Sequence, residues 1–130
     1  MMKLIVLLLT TVVVSGGAGT CSSSCSCNDV DSDGKLTIES GYTSISSHLF
    51  NGCKKLIEII IPDTVTSIGS YAFYDASKLK TVAISQESSA LKSIGEEAFF
   101  GCSQLEAFTI PDQVTSIGTQ AFYGASSLKT

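Results

Sequence analysis

The strongest constraint on this chain is a column of phenylalanines. Phe50, Phe73, Phe99 and Phe122 recur at intervals of 23, 26 and 23 residues. Ile45, Ile68, Ile94 and Ile117 keep the same intervals, and so do Leu56, Leu79, Leu105 and Leu128. Three independent columns at one period define an internal repeat. Repeats of roughly 20–29 residues with fixed leucines build solenoids. A single unit of that size cannot bury its own apolar face, so the neighbours must do it.

Each unit ends in a short stretch of apolar alternation: Leu36 and Ile38, Ile59 and Ile61, Val82 and Ile84, Phe108 and Ile110. Period two places each pair on one face of a strand. Pro62 and Pro111 follow two of these strands and end the ladder, since proline has no N–H to donate. Gly69, Gly95 and Gly118 precede the next segment and permit a turn there. Segments such as "SYAFYDAS" are too short for full helices and suit one or two helical turns. The longer middle interval comes from "SQESSA", Ser85 to Ala90, whose polarity marks a surface loop. Stacked units sit about 4.8 Å apart. The phenylalanines then form a continuous core ladder, each contributing roughly 1.5–3 kcal/mol when buried.

The units "IPDTVTSIGSYAFYDASKLKTVAI" and "IPDQVTSIGTQAFYGASSLKT" resemble the treponemal-type leucine-rich repeats of BspA-like surface proteins. The resemblance covers about Leu36 to Thr130. It implies a right-handed leucine-rich solenoid with a short strand and a short helical turn per unit of 23–26 residues. The first unit departs from the pattern, with Glu39, Ser46 and Leu49 in the proline, glycine and alanine columns. It reads as a degenerate terminal unit. After Leu128 only two residues remain, too few for the strand that would end the fourth unit or for a cap. The expectation is a C-terminally truncated piece, about 3.5 to 4 units, or a chain that self-associates through an uncapped edge.

The start of the chain is of another kind. Lys3 precedes an apolar run, Leu4 to Val14, and small residues follow at 15–19. This is the pattern of a secretory signal peptide, here assigned to residues 1–20. The run is too short to span a membrane, which takes roughly 20 apolar residues. Residues 21–35, rich in Cys, Ser and Asp, form a separate N-terminal segment and cap, and residues 36–130 carry the repeats. From Cys21 onward there are seven Lys, no Arg and twelve Asp or Glu, a net charge of about −5 (7 − 12). No basic cluster exists to bind phosphates, so nucleic acid is excluded as a partner. Membrane insertion after signal removal is excluded as well.

Export implies an oxidising compartment. The cysteine count of five leaves at least one thiol unpaired within the chain. Cys53 and Cys102 share a column with Ala76 and Ala125, where a small buried side chain is required. They lie two layers apart, about 10 Å, beyond disulfide reach. Both are expected to be free packing cysteines.

Catalysis has no foothold in the sequence. His48 is the sole histidine, and its column also holds Tyr71, Glu97 and Gln120, a tolerant outward position. Glu96 and Glu97 are neighbours on one turn rather than a pair across a cleft. The expected role is a secreted or cell-surface module for protein interaction, acting through an extended repeat surface. The resemblance implies adhesion to a host or matrix protein. Two surfaces are candidates. One is the aromatic row Tyr74, Phe100 and Tyr123, which offers large contact area but is expected mainly to half-bury against neighbouring turns. The other is the outward strand face, with Thr37, Glu58, Ile60, Thr81, Ala83, Ala107 and Thr109.

One acidic stretch, "DVDSDGKLTI", has a second reading. Asp29, Asp31 and Asp33 match positions one, three and five of a calcium loop, and Gly34 matches the sixth. Position twelve, which should be a bidentate acid, is Ser40. In the repeat register Leu36 and Ile38 already belong to the first strand. The stretch therefore reads first as a turn feeding the solenoid, with calcium binding that orders the N-terminal cap as the alternative. No other cofactor is implied.

Overall fold

The computed structural model describes residues 19–129. The expected signal segment falls largely outside the described residues, at 1–18. The rest is a parallel solenoid. Its strands are β1 (Thr20–Cys21), β2 (Lys35–Ile38), β3 (Ser44–Ile45), β4 (Glu58–Ile61), β5 (Ser67–Ile68), β6 (Thr81–Ile84), β7 (Ser93–Ile94) and β8 (Ser116–Ile117). They form two four-stranded sheets, a first in the order β1-β2-β4-β6 and a second in the order β3-β5-β7-β8. Registers follow the repeat: Ile59 pairs Val82 in one sheet, and Ile45 pairs Ile68 in the other. The second sheet is built from the Ser-Ile pair that precedes the Gly69, Gly95 and Gly118 column, a strand the sequence pattern did not predict.

Between β3 and β4, and at each equivalent place, the chain runs through consecutive turns instead of helix. The reason is conformational. His48, Tyr71, Glu97 and Gln120, one column, all have φ between 50° and 62°. Four residues later Gly52, Asp75, Gly101 and Gly124 are left-handed too. Two left-handed residues per unit break any right-handed helix. They also aim alternate N–H groups at the next layer. Phe50 N–H donates to the Ala72 carbonyl at 2.7 Å, Phe73 to Ala98 at 2.8 Å and Phe99 to Ala121 at 2.8 Å. This third ladder holds the turns in register.

The core lies between the ladders. Phe50, Phe73 and Phe99 are fully buried, with Leu56, Leu79, Ile45, Ile68 and Ile94 around them. Their rings stack at centroid distances of 5.4 and 5.0 Å, and Phe122 continues the stack at 5.2 Å. These distances match the repeat's own rise through strand pairing. Gly69, Gly95 and Gly118 serve a closer purpose than flexibility. A Cβ on Gly95 would lie 2.4 Å from Ser70 N, and one on Gly118 2.4 Å from Glu96 N. Each of these glycines lies directly on the backbone of the preceding layer, so no side chain fits. Ser46 holds the same column in the first unit, where no earlier unit of the repeat lies beneath it.

Two sequence expectations need correction. Cys53 is not free: it is joined to Cys27, with Cα atoms 5.7 Å apart. Cys53 lies beyond reach of Cys102 but within reach of a third cysteine. The N-terminal segment folds back as a layer beneath the first unit. There a capping box, Ser26 with Asp29, opens a short 3-10 helix (Cys27–Asp29) that brings Cys27 onto the column. Cys21 pairs Cys25 within the same segment. Cys102 is free and buried as expected. The second correction concerns Phe108 and Ile110. They add no strand to the first sheet beyond β6, where among the described residues a single isolated bridge joins Thr81 to Ala107. Phe108 still packs on Phe99 and Phe122, while Ile110 is exposed.

Candidate functional site

The outward positions of the first sheet fall into two rows set by strand register. Lys35, Glu58 and Thr81 align in one, and Thr37, Ile60 and Ala83 in the other. Lys35 and Glu58 form a surface ion pair at 3.2 Å. Beyond it the face loses charge and becomes concave. A groove of about 610 Å³ is lined by Ile60, Thr81, Ala83, Ala107 and Thr109, with Asp63 and Gln86 among the residues at its rim. Ile60 is 43 % exposed. An open isoleucine on a concave face makes this groove a candidate surface for contact.

The wall of this groove comes from the inserted loop. Ser85 and Ser88 close it by a hydroxyl contact at 2.8 Å. Gln86 then reaches across the groove, its Nε2 donating to the Ile84 carbonyl at 3.0 Å and to the Thr109 carbonyl at 3.3 Å. Asp63 and Gln86 were absent from the sequence reading. The signal for Gln86 is the break in period at 85–90, whereas Asp63 lies within the regular repeat.

The aromatic row is also assembled, on the turn flank. Tyr74 stacks on Phe100 at 4.9 Å, and Phe100 on Tyr123 at 5.2 Å. His48 stacks on Tyr71 at 4.9 Å beside them. Face-to-face stacking uses the ring faces within the ladder and leaves mainly edges toward solvent. Tyr123 is 62 % exposed and keeps one broad surface. The Glu96 carboxylate, with Glu97 beside it, raises the Tyr71 phenol above its ordinary pKa. This row and the groove are separate surfaces, since none of its rings lines the groove.

The three candidate calcium ligands are dispersed in role. The Asp29 carboxylate accepts from the Ser26 N–H at 2.7 Å and from its hydroxyl. Asp31 Oδ1 accepts from the N–H groups of Asp33 and Lys35 at 2.9 and 2.8 Å. These bonds make the turn that feeds β2. Asp33 points to solvent. Among the described residues no three acids, histidines or cysteines gather as a metal cluster.

With this geometry in view, the relatives can be named. The sequence pattern described as the BspA type leucine rich repeat region matches residues 23–130, in six copies. The chain belongs to this family. Among solved structures, a leucine rich cell surface protein from Faecalibacterium prausnitzii is 39 % identical, with a TM-score of 0.64. The match covers 72 % of this chain and 27 % of that one, so the chain spans about a quarter of its relative's length. A leucine-rich repeat protein from Bacteroides capillosus is 26 % identical over 91 % of this chain and 78 % of its own, with a TM-score of 0.60. The T. pallidum leucine rich repeat protein shares the fold at 24 % identity and a TM-score of 0.52, over 72 % of this chain and 55 % of that one. No curated protein matches the chain. Members of this family are protein-interaction scaffolds, and no helix among the described residues is long and apolar enough to cross a membrane.

Proposed function

We propose that the chain is a secreted or cell-surface adhesion module that binds a protein ligand, a host or matrix protein, without catalysis. The observation that carries this reading is the concave outer face of β4 and β6, open around Ile60 and Ala83. The two disulfides support export, since such bonds persist in oxidising compartments. Gly19 supports signal cleavage after Ala18 rather than after Thr20. Its N–H donates to the Asp29 carbonyl at 2.9 Å, and its carbonyl accepts from Thr37.

The test is surface mutagenesis on the folded chain from Gly19, measured against immobilised extracellular matrix and host-cell surface proteins. Ile60→Arg with Ala83→Arg is expected to weaken capture about tenfold or more, the size of an interface hot spot. Tyr74→Ala and Tyr123→Ala should leave it within about twofold, on the same scale. The opposite pattern would move the binding surface to the aromatic flank.

A further inference from the structure

Gly19, at the start of the N-terminal layer, is fixed on both sides. Its N–H donates to the Asp29 carbonyl at 2.9 Å, and its carbonyl accepts from the Thr37 N–H. Its φ is 96°, a left-handed value that favours glycine. A Cβ there would stand 2.9 Å from Asp31 Oδ2 and 3.2 Å from the Asp31 Cβ, so the aspartate side chain lies directly against the glycine. With bond lengths of about 1.5 Å, Oδ2 is within about 6 Å of the Gly19 nitrogen, the range in which opposite charges act on each other.

The two oxygens of that carboxylate are used unequally. Oδ1 accepts from the N–H groups of Asp33 and Lys35 and makes the turn into β2. Among the described residues Oδ2 accepts no hydrogen bond, and the half-buried Asp31 forms no ion pair. The neighbouring charges are placed elsewhere. Ser26 holds the Asp29 carboxylate, Glu58 pairs the Lys35 ammonium, and Asp33 is exposed. In the sequence Gly16 and Ala18 stand at the third and first positions before Gly19, the small-x-small pattern of a signal cleavage site.

We propose that Asp31 is the counter-ion of an α-ammonium created at Gly19 by cleavage of the Ala18–Gly19 bond. A signal peptidase adds water across that bond. The new carboxyl group departs on Ala18, and its proton goes to the freed amine of Gly19. One N–H thereby becomes three: one stays on the Asp29 carbonyl, and another reaches Asp31 Oδ2. Removal of the leader fastens β1 to the turn that feeds β2, and the acidic stretch holds the chain's own N-terminus. The inference rests on the export reading above and adds the processed residue and its partner.

Two measurements test it. The full chain is secreted from a bacterial host, and its intact mass gives the first residue. Gly19 is expected. A start at Thr20 or Cys21 overturns the processing site while export stands, and an uncut chain brings down both. The chain from Gly19, its amine either free or acetylated, is then unfolded in urea. Acetylation keeps one N–H for Asp29 and removes the charge. It should raise the unfolding equilibrium constant roughly two- to fivefold, the range of a partly exposed ion pair, and salt near 1 M should shrink that effect. Asp31→Asn keeps the turn made by Oδ1, and in this variant acetylation should change nothing. Asp33→Asn should retain the full effect. Equal effects of acetylation in the native chain and in Asp31→Asn overturn the pairing. So does the lack of any effect in the native chain, whichever residue proves to be first.

Discussion

The turn ladder and the first sheet meet the same fourth unit and treat it differently. In the turn ladder Phe122 stacks on Phe99 at 5.2 Å, and Glu97 and Phe99 donate to the layer above as their predecessors do. In the first sheet the equivalent layer keeps one bridge at Thr81 and then leaves the ladder. Spacing explains the contrast. Every column between the Ile45-type and Leu56-type positions is free of insertions, whereas three extra residues lie between Ile84 and Ile94. Gln86, from that insertion, takes the Thr109 carbonyl. One half of each unit is held invariant by packing, and the other half tolerates change and carries the groove.

The sharpest break of this comparison is Phe73→Ala. Phe73 is fully buried between Phe50 and Phe99, so its loss should cost about 3–5 kcal/mol in urea denaturation. A cost near that of a surface substitution would mean the turn half is not the core. Removing the Cys27–Cys53 bond by Cys27→Ser with Cys53→Ser should cost about 2–4 kcal/mol. The same measurement reads it, and the loss should fall on the first layer, visible as faster amide exchange in β2. Gly95→Ala places a Cβ 2.4 Å from Ser70 N, an overpacking cost of about 1–3 kcal/mol. Gly41→Ala, with nothing within 4 Å, should stay within about 0.5 kcal/mol.

Smaller effects come next. Burial pushes the Cys102 thiol up from 9.0 to about 12. The folded state therefore resists ionisation of this group. Its stabilising contribution is fully present below pH 9.0 and is lost as pH rises from there toward 12. Cys102→Ala, an alanine as at Ala76 and Ala125, should flatten that alkaline decline at a cost of about 1 kcal/mol or less. Native Cys102 should also resist alkylation at pH 8 until the chain unfolds. Calcium at 1 mM should shift Tm by less than about 1 °C, the result for a ligand far below its Kd. A larger shift would make Asp29, Asp31 and Asp33 ligands, and the cap rather than the groove the regulated region.

The match of side-chain columns to layers was legible because the repeat writes it directly. Phe, Ile, Leu and the small column recur at one period, and period two in the strands sorts Ile59 and Ile61 inward from Ile60. The free state of Cys102 followed from the same columns. The turn conformation did not. Tyr71 and Glu97 have no common chemistry that announces a positive φ, and only the backbone shows it. The glycine column was visible, but its cause was not, since contact between layers involves residues more than twenty positions apart.

By itself the sequence determined a solenoid, its core ladder and the exposed strand face, because local period and side-chain size decide which residues can be buried together. Tertiary structure alone decided that Cys27 reaches Cys53. It also decided that Gln86 crosses to Thr109 and that residues 108–110 run beside β6 without pairing to it as a strand. Each of these depends on where distant segments come to rest in space, and spacing along the chain carries no measure of that distance.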